Sequence, residues 1–332
     1  MRAMLLEKQA AIESAPLRAV DLDDPEPGAS EVRLRVRACG ICRTDLHVIE
    51  GDLAPRKLPL VPGHQVVGVV DSRGPGATRF ELGARVGIAW LRSTCGACAD
   101  CRRGDENLCR ASRYTGWDAD GGYAEYAVVP EAYAYAIPEA IADVAAAPLL
   151  CAGIIGYRAL RRSEVARGGR LGIYGFGSSA HVTLQVALHR GIEVYVATRG
   201  AGHRRLALEL GASWAGEATE IPPLALDGAV VFAPAGELVL PALRSLRPGG
   251  TCATAGITMS DIPALSYEPH LFHEKRLTSV EANTRADGEE LLRAAAEIPI
   301  RPRTREFAFA DANLALQTLK RDGIDGSGVL VP

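Results

Sequence analysis

Four cysteines fall within fifteen residues, spaced Cys95-x2-Cys98-x2-Cys101-x7-Cys109. Thiolates so close together match the tetrahedral demand of zinc, and closed four-cysteine sites are structural. The intervening Gly96, Asp100, Gly104 and Asp105 are loop formers. Such a lobe has little core of its own, so metal binding contributes folding energy. The bland alternative is four unrelated cysteines, but free cysteines are usually scattered and buried. Disulfides are the other use. The start, Met1 to Lys8, carries no apolar run of signal-peptide length. The chain therefore reads as cytoplasmic, where its eight cysteines serve better as ligands.

A length of 332 residues suggests two domains. Lys and Arg total 37 against 40 Asp and Glu, a formal charge of −3. A nucleic-acid binder would carry a basic stripe instead. The longest apolar region, Ala140 to Leu160, is broken by Asp143, Pro148 and Arg158, so no membrane span is expected.

Up to about residue 150 the chain reads as β-rich. Glu31 to Arg37 alternates polar and apolar, as a half-buried strand does, and Gln65 to Val70 is a β-branched run suited to a buried strand. The middle changes character. Strand-like runs at 171–174, 193–198, 228–232 and 250–255 alternate with helical patterns, including a helix from Ser178 to His189. This predicts an α/β domain with a doubly wound parallel sheet. The final 45 residues carry two helices around a strand-like Glu306–Phe309.

Gly175-x-Gly177-x-x-Ala180 follows the first of these strands and opens a helix, the context that gives this turn its meaning. Gly175 permits the tight turn, Gly177 lets a pyrophosphate approach the backbone, and Ala180 allows close packing. Phe176, Ser178 and Ser179 complete the turn, whose helix N-terminus favours an anion. NAD enzymes present an acid about 20 residues further on. Here the strand ends in Thr198-Arg199. With Arg204 or Arg205 on the next helix, Arg199 could pair with a 2′-phosphate, which favours NADP(H) over NAD(H). Arg199 as a solvated loop residue or an adenine-stacking one is the alternative.

Three dispersed features complete the pattern: Cys39-Gly-Ile-Cys42-Arg43-Thr44-Asp45-Leu-His47, Pro62-Gly63-His64, and Cys151-Ala-Gly. Each alone has an ordinary reading. Together with the four-cysteine loop, Gly121-Gly-Tyr-Ala-Glu-Tyr126 and the Gly-x-Gly turn, they occur in the order found in zinc-dependent medium-chain alcohol dehydrogenases. The chain resembles that family over almost its whole length.

The resemblance implies a catalytic zinc held by Cys42, His64 and Cys151, and a second zinc held by Cys95, Cys98, Cys101 and Cys109. Asp45 would orient His64, as partners of metal-bound imidazoles do; a helix-capping Asp is its other reading. Three protein ligands leave a position open for an alcohol oxygen, which then loses its proton easily. Hydride passes to the nicotinamide. The proton passes by way of Thr44, the cofactor ribose and His47 to solvent. Arg43 resembles the Arg that reaches the pyrophosphate. The family usually has Glu after the zinc His. Gln65 stands here, which puts in doubt an anionic role in ligand exchange.

Trp90 and Trp117, joined by Leu53 and Ile155, stand where relatives line the substrate pocket. Each tryptophan could equally be core. A GroES-like catalytic domain is implied over 1–153 and 288–332, with a Rossmann cofactor domain over 154–287 and the active site in the cleft. The expected enzyme acts on a small alcohol or aldehyde, binds neither nucleic acid nor membrane, and forms a homodimer or homotetramer. The alternative is a non-catalytic zinc- and dinucleotide-binding protein of the same fold. Zinc-free quinone reductases are disfavoured by the ligands, and polyol dehydrogenases by Gln65.

Overall fold

A computed structural model of the chain describes residues 1–298, 300 and 302–332. It divides into two compact units. The first comprises Met1–Cys151, Ala282–Ala296 and Arg301–Pro332, and the second Ala152–Glu281 and Glu297–Ile300. The first boundary falls two residues before the expected 153. The return comes earlier than residue 288, because Asn283, Thr284 and Asp287 are buried in the first unit and Asn283 donates to the Tyr135 hydroxyl at 3.4 Å.

Among the described residues, seven strands form the main sheet of the first unit. In spatial order they are Thr304–Ala308, Ser327–Val331, Glu31–Ile41, Gln65–Arg73, Arg85–Ile88 and Ala134–Ala136, with Tyr126–Pro130 also pairing to Glu31–Ile41. In Glu31–Ile41 the residues Val32, Leu34 and Val36 are buried between more exposed arginines, and everything from Ala38 onward is buried. The strand thus runs from a half-wet surface into the core, which is why its alternation fades after Arg37. Its antiparallel register pairs Cys39 with Val66 and Gly40 with Gln65. The next step of that register sets Ile41, the last residue of one strand, opposite His64, just before the other, so that Cys42 follows beside it.

The second unit is a six-stranded parallel sheet ordered Trp214–Gly216, Glu193–Ala197, Arg170–Tyr174, Leu226–Val231, Leu246–Thr254, Arg276–Ser279. Numbered along the chain from Arg170, this is the order 3-2-1-4-5-6 of the dinucleotide-binding fold, with its switch point between the first and fourth strands. The expected helix is Ser178–His189. The apolar stretch Asp143–Arg162 is helical and 67% buried over its most apolar window, as a core helix is.

Gly63 precedes His64 with φ +95°, and a Cβ there would lie 2.3 Å from Tyr123 Cδ1. Both the backbone conformation and the space require glycine. Gly63→Ala is expected to destabilise the protein by about 2–3 kcal/mol. Urea unfolding should show a lower midpoint at unchanged slope.

Candidate active site

Helix Arg43–Glu50 begins directly after the central strand, with Cys42 as its N-cap. Cysteine is outside the usual set of capping residues, yet its Sγ accepts the Thr44 N–H at 3.3 Å. Asp45 returns the favour, its Oδ2 accepting the Cys42 N–H at 2.8 Å. The other oxygen, Oδ1, lies 3.0 Å from His64 Nδ1. Asp45 therefore does both things its position suggested, capping the helix and holding the imidazole.

His64 is fully buried, and its Nε2 lies 3.4 Å from Cys42 Sγ. Cys151 comes from a π turn, Leu149–Gly153, which opens directly after Pro148, a residue without the N–H of a regular turn. The donor atoms of Cys42, His64 and Cys151 all lie within 4.8 Å of one another. Two ligands on one tetrahedral zinc stand roughly 3.6–3.8 Å apart, given bond lengths of about 2.1 and 2.3 Å. The donor set and spacing fit that ion.

The charges agree. The Cys151 thiol and the His64 cation hold the Cys42 thiol well below its usual range despite burial. Burial works against a charged His64, but Asp45 and Cys42 outweigh it and push the imidazole up to about 10. The pocket is built to gather positive charge. Cys39 and Tyr123 beside it are pushed well up by burial and stay neutral.

The second cluster is the four-cysteine loop, whose sulfurs also lie within 4.8 Å of one another. Cys95 and Cys101 Sγ are 3.9 Å apart. The N–H groups of Ala97 and Cys98 pull the Cys95 thiol down to about 6.

Around the first cluster, His47 Nδ1 pairs with Asp52 Oδ2 at 2.6 Å. Arg43 is ion-paired with Asp322. Gln65 is buried against Gly40, and its Nε2 has no hydrogen-bond partner among the described residues. Trp90 is only 8% exposed and meets the His64 ring edge-on, with centroids 4.9 Å apart. It stacks on Trp117 at 5.8 Å, and Arg56 lies 3.8 Å from the Trp117 centroid. Leu53 packs on the same core. Ile155 lies in the helix Ile154–Arg162 of the second unit.

In the second unit Gly175 has φ +87°, and a Cβ there would meet Ala233 N at 2.8 Å. At Gly177 a Cβ would meet nothing within 4 Å, so the turn leaves its backbone open to a ligand. The N-cap of the helix it opens is Gly177, which brings no side chain to the cap, and Ala180 is buried beneath. This cradle fits a pyrophosphate. Thr198 is buried, and its Oγ1 accepts the Phe176 N–H at 3.2 Å. Arg199 is exposed. Arg204 is ion-paired with Glu217 at 2.6 Å and donates to the Thr198 carbonyl.

Asp52, Arg56 and Glu217 were not singled out from the sequence, and Tyr123 stood there only as part of the Gly121–Tyr126 motif. Only Asp52 had a local signal, an acid at i+5 from a histidine across a glycine turn. The others are assembled by tertiary contact.

The alcohol dehydrogenase GroES-like domain family matches residues 28–139. The chain is 52% identical over 336 residues to a probable alcohol dehydrogenase of Mycobacterium tuberculosis, covering 100% of this chain and 97% of that protein. A cinnamyl alcohol dehydrogenase from Sorghum bicolor superposes with a TM-score of 0.90 at 28% identity, over 99% of this chain and 97% of that one. A thermostable alcohol dehydrogenase from Pyrobaculum aerophilum, solved with cobalt and zinc, gives 0.89 at 26%, over 100% and 99%. The chain belongs to the zinc-dependent medium-chain alcohol dehydrogenases. It is an NAD(P)-dependent oxidoreductase acting on an alcohol and its carbonyl partner, and these relatives lend no support to a non-catalytic role.

Proposed function

We propose that Cys42, His64 and Cys151 hold a catalytic zinc, that Cys95, Cys98, Cys101 and Cys109 hold a structural one, and that the enzyme prefers NADP(H). The observation that carries the first part is the convergence of two thiols and one Asp-held imidazole from three separate segments. When bound, zinc supplies a Lewis acid for the alcohol or carbonyl oxygen, and the dinucleotide donates or accepts the hydride. Asp45 keeps the Nδ1 proton of His64, so Nε2 is the ligating nitrogen. The Thr44 hydroxyl takes the substrate proton, and His47, backed by Asp52, carries it to solvent. Trp90 and Trp117 present an apolar wall beside His64, which suits a planar, aromatic or aliphatic substrate. The name of the Sorghum relative points the same way. Leu53 and Ile155 are proposed to join that wall.

Self-association is part of this reading. Arg276–Ser279 is a sheet edge, and Ile257, Ile262, Tyr267, Phe272 and Leu277 nearby in sequence are exposed. An unpaired edge with exposed apolar residues favours pairing with another chain.

Metal analysis is expected to give two zinc ions per chain. Cys42→Ala should abolish turnover and leave the melting temperature largely intact, whereas Cys101→Ala should lower it by several degrees. A Cys101→Ala protein as stable as wild type removes the structural assignment.

The proton route predicts a graded pair. Thr44→Val should lose most activity, since no other hydroxyl lies on the helix. His47→Gln should keep part of it with an altered pH profile, because water substitutes at the last step. The pH dependence of kcat for each variant checks this.

For the cofactor, Thr198 stands where an acid would repel a 2′-phosphate, and its hydroxyl ties the glycine turn to the next strand. Arg199 and Arg205 are exposed cations at that end, and Arg204 is shared with Glu217. A charge-assisted pair is worth about 1.5–3 kcal/mol; with one arginine already engaged, the preference should lie near the lower end, roughly tenfold in kcat/KM. Initial rates over a panel of alcohols and aldehydes, with both cofactors, test this and the substrate class together. Thr198→Asp with Arg199→Ala should move preference toward NAD(H). A wild-type preference for NAD(H) overturns the cofactor reading.

A further inference from the structure

The four cysteines of the loop do not draw their donors from one source. Three receive backbone N–H groups from within the loop: Cys95 N–H donates to Cys109 Sγ at 3.4 Å, Cys98 N–H to Cys95 Sγ at 3.3 Å, and Cys101 N–H to Cys98 Sγ at 3.5 Å. Cys101 Sγ, with the Gly96 amide nearby, lies 3.5 Å from the hydroxyl of Thr94, outside the cysteine run. Thr94 is fastened twice to Tyr133. Its N–H donates to Tyr133 Oη at 3.0 Å, and the two hydroxyl oxygens are 2.7 Å apart.

Valence fixes the directions once a metal is present. A ligating cysteine is a thiolate, which only accepts. Thr94 has one hydroxyl hydrogen, and it goes to Cys101. The Tyr133 hydroxyl hydrogen must then go to Thr94 Oγ1, while Tyr133 Oη accepts the Thr94 amide. Tyr133 is itself held from outside. The Arg285 guanidinium lies 4.8 Å from its ring centroid. Arg285 donates from its N–H and Nε to Glu106 Oε1 at 3.0 and 3.1 Å. Glu106 belongs to the short turn Glu106–Leu108 just before Cys109 and is almost fully buried. The circuit Cys101, Thr94, Tyr133, Arg285, Glu106 therefore starts and ends in the same loop.

We infer that Thr94 and Tyr133 are positioning residues of the four-cysteine site: a hydroxyl chain of fixed direction holds the Cys101 thiolate and ties retention of the metal to Arg285 and Glu106. The inference rests on the reading of Cys95 to Cys109 as a zinc site.

The test follows zinc transfer from the protein to a chromophoric chelator. A Cys42→Ala background makes the released metal come from this loop alone. Thr94→Val and Tyr133→Phe should each release zinc ~10-fold faster, within the range seen when a metal ligand loses its supporting hydrogen bond. Thr94→Ser keeps the hydroxyl and should release at the parental rate. With cobalt in place of zinc, the thiolate-to-metal absorption should shift in Thr94→Val and not in Thr94→Ser. Tyr133→Phe keeps the ring under Arg285, so it reads the chain even if Thr94→Val misfolds. Parental release rates in both Thr94→Val and Tyr133→Phe overturn the inference. A parental protein that retains no zinc in the loop overturns the metal reading and the inference with it.

Discussion

Each oxygen of the Asp45 carboxylate, 2% exposed, has its own partner: the Cys42 N–H on one side and the His64 ring on the other. A buried carboxylate is tolerated only when paired and hydrogen-bonded. Here the pairing is also the construction principle. The same group starts the helix that carries Thr44 and His47, fixes Cys42 at its head, and sets the imidazole plane. Burial alone would keep Asp45 protonated and raises its pKa. The raised affinity of His64 for a proton, driven by Asp45 and Cys42 against burial, is the counterpart.

The aromatic side supports the same ring differently. Trp90 meets His64 with its edge and stacks on Trp117 and Tyr114, at 5.8 and 5.0 Å. Arg56 closes the outer face of Trp117 and is paired with Asp118. The Trp117 indole N–H donates to the Ala54 carbonyl at 2.9 Å, which fixes the ring in its own plane. His64 is thus restrained by a charge at Nδ1 and by packing on its flank. Trp90 is part of the core by its burial, and its edge-on contact with His64 is what supports the proposed second use as a pocket wall.

Much of this was legible because local pattern and tertiary demand coincide. The strand–glycine turn–helix at Arg170 to His189 and the four-cysteine spacing are short-range signals that survive without context. Asp45 was readable in two ways, and the structure uses both, since an N-terminal helical acid and a strand-start histidine are brought together by sheet register. Arg204 was legible as a cation near the cofactor end, but not its engagement with Glu217, because the partner lies on the far side of a helix and a strand in sequence. Thr94 and Tyr133 are 39 residues apart, and Arg285 lies far beyond both in sequence. No periodicity relates them, and only folding puts one over the next.

The order of segments has a consequence during synthesis. The strand that ends at Ile41, one residue before Cys42, is flanked in the sheet by Ser327–Val331, which comes almost last in the chain. The second unit, by contrast, draws all six of its described strands from one unbroken stretch, Ala152–Glu281. On a ribosome that middle portion can complete its sheet while the first unit still waits for its closing strand. Domains fold as units as they emerge, so the sheet that carries the glycine turn matures early and the sheet that presents Cys42 late. Zinc capture as proposed at Cys42, His64 and Cys151 would then follow translation, whereas the local loop Cys95 to Cys109 need not wait for that strand.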